Sequence, residues 1–225
     1  MKKILFFIGP PGSGKGTQAK KIAAKYNYKH VSTGDLIRAI AIDANATDEE
    51  KQILKEVNLN GQLAPDWFIC GLVSREIERF ASGNSNYKGI VFDGAVRTIG
   101  QAERFFQFLQ DKNFLNSTLV LAIIISDNES RDRLSKRRVC ADCREIIPWV
   151  TATKNISACP KCGGKLKVRP DDSPETIEKR IVDQGSRALA PIMDYFRERG
   201  LLQTIDGNPS IDEVAMQVEK TILEK

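Results

Sequence analysis

The sequence predicts a doubly wound α/β fold: a parallel five-stranded sheet with two inserted lobes. Three observations lead there. Short, apolar, β-branched runs alternate with segments of helical spacing along most of the 225 residues. One of them, "LVLAIIIS" from Leu119 to Ser126, is apolar almost throughout, as a strand buried on both faces must be. A glycine-rich turn, "GPPGSGKGT" from Gly9 to Thr17, follows the first apolar run directly and opens into a helix.

Taken in order, the expected strands are residues 2–8, 29–32, 89–93, 119–126 and 201–206. Between them, Pro65 to Phe80 sets Phe68, Leu72, Val73, Ile77 and Phe80 at helical spacing. The last helix opens on a capping box, with Ser210 as the cap and Glu213 three residues later. From about 138 to 170 helical periodicity vanishes and Cys, Lys and Gly concentrate, which marks an inserted lobe. The expected organisation is a core of 1–31, 62–135 and 173–225, one lobe at 32–61 and a second at 136–172. There are no internal repeats and no low-complexity tract.

Net charge is +5, but unevenly spread. Residues 136–169 hold nine Lys/Arg against Asp142 and Glu145, a local +7 that leaves the remainder at −2. A basic lobe implies an anionic partner. No apolar run approaches the roughly 18 residues of a membrane span, so no membrane partner is expected. Five apolar residues precede Gly9, fewer than a signal peptide's ~7–15. The cytoplasm is the expected compartment.

The Gly9–Thr17 stretch fits G-x-x-x-x-G-K, a phosphate loop. Glycines let backbone N–H groups turn toward an anion, the helix N-terminus adds partial positive charge, and Lys15 reaches the β/γ phosphates. Gly12, Ser13, Gly14, Lys15, Gly16 and Thr17 are the candidate phosphate-binding residues. One departure matters: the usual hydroxyl after the lysine is replaced by Gly16 and follows at Thr17, so direct Mg²⁺ ligation by that hydroxyl is not expected. No N-K-x-D motif is present, which disfavours a GTPase. The strand "GIVFD" delivers Asp93 to its carboxyl end beside Gly94 and Arg97, opposite this loop. A carboxylate there is placed to anchor Mg²⁺ through its water shell.

With these motifs in order, the chain resembles the adenylate kinase family of nucleoside monophosphate kinases. The resemblance rests on "GPPGSGKGTQ", "STGDLIR", "GQLAPD", "DGAVRTIGQAE", "RLSKRRVC", "VRPDD", "IEKR" and "DGNPS", and spans nearly the whole chain. It implies Mg²⁺-dependent transfer from ATP to AMP, giving two ADP. It places Gly12 to Thr17 on the ATP phosphates, and Arg133 and Arg137 on the donor nucleotide and the transferring phosphoryl, with the backbone near Pro209 beside the donor adenine. It places Thr33, Arg38, Gln62, Leu63, Ala64, Gly94, Ala95, Val96, Arg97 and Gln101 on AMP. Arg169 and Arg180 would bridge both substrates. The catalytic set would be Lys15, Arg97, Arg133, Arg137, Arg169 and Arg180. Arg133 and Arg137, four apart, read as one helical face. Thr33 and Gln101 go with AMP in this family, whereas Ala95-Val96 stands where it usually has Phe-Pro. Relaxed base selectivity is expected there, and a GMP, CMP or UMP kinase is the alternative.

Cys140, Cys143, Cys159 and Cys162 form C-x2-C-x15-C-x2-C, the spacing of a tetrahedral structural Zn²⁺ site, with iron as a rival occupant. A lobe this small cannot supply its own core, and a metal provides the missing stability. Its positive charge suits a lid over ATP, hinged near Ser135–Lys136 and Asp171–Pro174. Cys70 and the lone His30 read as structural. A nucleic-acid-binding zinc-ribbon protein with a phosphate loop is a remote alternative. The lobe's cations lack interleaved aromatics, so no nucleic-acid partner is expected.

Overall fold

The structure, a computed structural model, describes all residues except 41, 44, 45, 61, 62, 84, 149–152, 154, 170 and 171, and the side chains of 38 and 55–60. Five parallel strands, β1 (Ile4–Ile8), β2 (Tyr28–Ser32), β3 (Gly89–Asp93), β4 (Thr118–Ile124) and β8 (Leu202–Asp206), lie in the order β2-β3-β1-β4-β8. The sheet is buried on both faces because alternate residues of each central strand feed two separate cores. Ile4, Phe6 and Ile8 of β1 and Val120 and Ala122 of β4 pack with α4 (Asp66–Ala81), α5 (Ile99–Asp111) and α8 (Ser186–Glu198). On this face Phe6 and Phe92 stack with centroids 5.1 Å apart. Leu5, Phe7, Leu119, Leu121 and Ile123 meet Ala19 and Ile22 of α1 (Lys15–Tyr26) and Val214, Val218 and Ile222 of α9 (Ile211–Leu223) on the other.

The strands fall within two residues of the expected limits. Helix α4 starts at Asp66 with Pro65 as its cap, and the capping box at Ser210 and Glu213 is present. Residues 33–60 add α2 (Thr33–Ile40) and α3 (Asp48–Asn60). The second insertion is flanked by α6 (Asp127–Lys136) and α7 (Pro174–Gln184), capped by Ser126 and Ser173. A bidentate Arg131–Glu178 pair, with bonds of 2.7 and 3.0 Å, and a small core of Leu134, Ile177 and Ile181 join these two helices. Between them, β5 (Arg138–Cys140), β6 (Ile146–Ile147) and β7 (Leu166–Lys167) form a three-stranded antiparallel sheet that the sequence pattern does not announce. Strands of two or three residues are too short to show a period.

One sequence expectation is corrected. Arg137 does not share a helical face with Arg133: α6 ends at Lys136, and Arg137 is its C-cap, with φ −58° and ψ 142°. No helix among the described residues is long and apolar enough to cross a membrane. Because all five core strands run parallel, their carboxyl ends open on one edge of the sheet, where ligands bind in such folds.

Candidate active site

At that edge β1 ends in the loop Gly9–Gly14, and α1 starts at Lys15 behind Gly14, which sits in the left-handed region. Lys15 folds back, its Nζ donating to the carbonyls of Gly9 at 2.7 Å and Pro10 at 2.8 Å. Burial pushes its pKa down to about 8; Asp93 opposes this, while the nearby Arg97, Arg180 and Arg137 reinforce it. Three of the other expected cations thus lie within electrostatic reach of Lys15. Ser13 is buried in the loop with no partner for its hydroxyl among the described residues.

The Gly16 departure has a steric reason. A Cβ there would lie 2.7 Å from Oδ2 of Asp93, so the carboxylate occupies the space a side chain would need. Thr17 follows in the first turn of α1. On the neighbouring strand ends, Thr33 donates through Oγ1 to the Asp93 carbonyl at 3.1 Å. Arg97 donates through Nε to the Gly94 carbonyl at 3.1 Å and through its backbone N–H to Oε1 of buried Gln101 at 2.7 Å. Thr33, Asp93, Gly94, Arg97 and Gln101 are thus one connected set. Ala64, Ala95 and Val96 are buried in the adjoining core, while Leu63 is half-buried. Gln62 and the Arg38 side chain lie outside the described residues.

The remaining arginines divide. Arg133 donates from Nε to Glu129 at 2.6 Å and from Nη2 to the Gly207 carbonyl at 2.9 Å, on the loop that carries half-buried Pro209. Arg137 instead grips Asp172 through Nε at 2.8 Å and Nη2 at 2.7 Å, and Arg180 adds a third bond to the same carboxylate at 2.9 Å. The Asp172 side chain is 0% exposed. It holds two guanidinium groups together, and the sequence reading gave it no role beyond a place in the expected hinge Asp171–Pro174. Arg169 lies just upstream, its carbonyl accepting from the Asp172 N–H at 3.0 Å. The Arg137–Asp172 fork also joins the chain segments that lead into and out of the second insertion; Asp171 lies outside the described residues.

A family model for adenylate kinase matches residues 7–201. The chain belongs to the adenylate kinase family. It is 35% identical over 224 residues to an adenylate kinase of Archaeoglobus fulgidus, covering 98% of both chains. Similar relatives include the adenylate kinases of Thermodesulfovibrio yellowstonii, 35% identical over 98% of this chain and 99% of the relative, and Borrelia turicatae, 38% identical over 98% and 97%. Membership makes the chain a phosphotransferase, a nucleoside monophosphate kinase.

In the second insertion the sulfurs of Cys140, Cys143, Cys159 and Cys162 all lie within 4.8 Å of one another. Cys140 and Cys162 are 3.5 Å apart, and Cys143 and Cys159 3.6 Å. A disulfide needs about 2.05 Å, whereas four thiolates at ~2.3 Å from a tetrahedral ion stand roughly 3.8 Å apart. The donor set fits a closed metal site. The Cys143 backbone N–H pulls the Cys140 thiol down, while the neighbouring sulfurs push the Cys143 thiol up, so the two thiols do not both favour the thiolate form without a cation between them. Cys70 is buried on α4, and burial pushes its thiol up to about 12, as expected of a core residue. His30 lies on β2 with a buried Nε2 that has no partner among the described residues, and burial lowers its pKa.

Two outcomes follow from this geometry. Because burial favours neutral Lys15, kcat/KM for ATP is expected to fall about tenfold per pH unit above about pH 8. Arg never loses its charge, so Lys15→Arg should abolish that limb whatever its absolute rate; an unchanged limb in the variant would assign it elsewhere. Asp172→Asn removes the charge that two part-buried guanidinium groups share. It should cost about 3 kcal/mol in urea unfolding and lower kcat roughly a hundredfold.

Proposed function

We propose that this chain transfers the terminal phosphoryl group of ATP to AMP, giving two ADP, with Lys15 and a ring of arginines as the catalytic cations. The observation that carries this reading is the convergence of Lys15, Arg97, Arg137 and Arg180 beside Asp93 at the carboxyl edge of the sheet. Two polyanions must meet there, and their mutual repulsion is the obstacle to reaction. The acceptor phosphate has a second pKa near ~6 and is ionised at neutral pH, so no general base is needed. His30 is accordingly not assigned one.

In this reading the loop N–H groups of Gly12 to Thr17 and Lys15 hold the ATP phosphates. Arg133, bonded to the Gly207 carbonyl, belongs to the donor side with Pro209. Arg97, anchored by Gly94 and Gln101, clasps the acceptor phosphate, with Thr33, Arg38, Leu63 and Ala64 around the AMP nucleoside. Arg137 and Arg180 exchange the Asp172 carboxylate for phosphoryl oxygens and, with Arg169, spread the charge of in-line transfer. Mg²⁺ arrives with ATP and neutralises its phosphates; the half-buried Asp93 carboxylate would hold its water shell. The second insertion closes over the triphosphate and excludes water, which suppresses hydrolysis.

Ala95 and Val96 are 2% and 4% exposed. Neither offers an aromatic face to the acceptor base, which supports activity on further bases. A coupled assay across AMP, GMP, CMP and UMP, with ATP and GTP as donors, tests both points. AMP with ATP should be fastest, with at least one other pair within a hundredfold. No transfer to AMP would refute the reaction, and a hundredfold preference for one pair would refute relaxed selectivity.

The four cysteines are read as a structural Zn²⁺ site, since a closed tetrathiolate leaves no open position for substrate. The only core of that lobe is Cys140, Ile147 and Cys159 with Cys143, Ile156 and Leu166 around it, among the described residues. Chelation should therefore unfold the lobe while the sheet persists. Elemental analysis should find one zinc per chain. Trypsin should then cut metal-free protein within 138–169, and an equally resistant lobe would contradict the assignment.

A further inference from the structure

The phosphate loop has a partner outside its own motif. Ser130 lies inside α6, is 0% exposed, and donates its hydroxyl to the carbonyl of Pro11 at 2.5 Å. We propose that Ser130 is a positioning residue of the donor site: it fixes the Pro11–Gly12 peptide so that the Gly12 N–H faces the donor phosphates. This rests on the phosphotransferase reading above.

The reasoning starts from the peptide bond. It is planar and trans, so its carbonyl and the following N–H point in opposite directions. With the Pro11 carbonyl pinned to α6, the Gly12 N–H points away from α6, back across the loop. Gly12 has φ +78°, and a Cβ there would come within 3.3 Å of both the Ser130 carbonyl and Cγ of Leu134. Helix α6 is thus pressed against the Pro11–Gly12 turn at backbone distance, and the serine hydroxyl makes a hydrogen bond across that contact. A hydroxyl in a helix ordinarily returns to its own helix's carbonyls; this one crosses to another element.

The other carbonyls of the turn explain why the bond matters. Lys15 holds those of Gly9 and Pro10, and the Ser13 N–H also bonds to Pro10 at 3.2 Å. When Lys15 turns to phosphate oxygens it releases both carbonyls, just as the loop must keep its N–H groups aimed. The Ser130 bond does not depend on Lys15 and keeps the turn in place through that exchange. It also registers the loop to the helix that carries Arg133 and ends in Arg137.

The test is Ser130→Ala, with Ser130→Thr restoring the hydroxyl. Losing the bond leaves a buried carbonyl unpaired and frees the peptide to rotate, so KM for ATP should rise roughly tenfold. KM for AMP should stay within twofold, and Ser130→Thr should recover most of the ATP effect. A merely structural role would lower the urea midpoint without this split. Calorimetric binding of inorganic tripolyphosphate should weaken by a similar factor, since base and ribose take no part. ATP KM and tripolyphosphate affinity both within twofold of the parent would overturn the proposal. Should the alanine variant not fold, the ¹⁵N resonance of Gly12 in the parent decides: it must shift on adding tripolyphosphate, and an unmoved resonance overturns the assignment. If tripolyphosphate discriminates but the parent does not phosphorylate AMP, the reaction is wrong and the role of Ser130 stands.

Discussion

Arg97, Arg137 and Arg180 all act on the buried ammonium of Lys15 at the carboxyl end of the sheet, and the fold must hold these like charges together. Like charges at this range oppose assembly, and burial of the ammonium adds a desolvation cost. The structure offsets this with oxygen. Two loop carbonyls receive Lys15, the Gly94 carbonyl receives Arg97, and the buried Asp172 carboxylate receives Arg137 and Arg180. Each of these cations thus has a protein oxygen as its partner.

That arrangement needs a rigid floor. The central strands are buried on both faces, and their registers fix the ends of β1, β2 and β3 beside one another, with Ser32 opposite Asp93 and Phe7 opposite Asp93 on the other side. Asp93 is therefore set by main-chain pairing, and its carboxylate fills the space over Gly16. The glycine that looked like a weakened phosphate-loop motif is the complement of that carboxylate. Helix α6 and its cap join the same floor to the second insertion, touching the phosphate-loop turn through Ser130, the Gly207 carbonyl through Arg133 and Asp172 through Arg137.

The elements legible in the sequence were those whose pattern follows from local chemistry. The five core strands were marked by apolar runs, because burial on both faces removes polar residues from a strand. The last helix was marked by its capping box, and the phosphate loop by glycine spacing. The four cysteines were marked by a spacing that only a compact knuckle satisfies, and their sulfurs do converge. The short strands β5, β6 and β7 left no trace, being held by that convergence rather than by their own periodicity. Arg137 was assigned to a helical face from spacing alone, but its fork with Asp172 goes with an extended cap beyond the end of α6.

By itself the sequence determined the doubly wound architecture, the glycine-rich turn after the first strand and the cysteine cluster, since residue type and spacing carry each of these. Only the tertiary structure decided which oxygen each cation meets. Asp172 lies in a basic segment and Ser130 inside a polar helix, and in sequence both look like solvated surface residues. Their burial against Arg137, Arg180 and Pro11 comes from packing α6 and α7 beside the loop. Contacts across 35 and 119 residues have no local signature, because they depend on the chain's path and not on any short pattern.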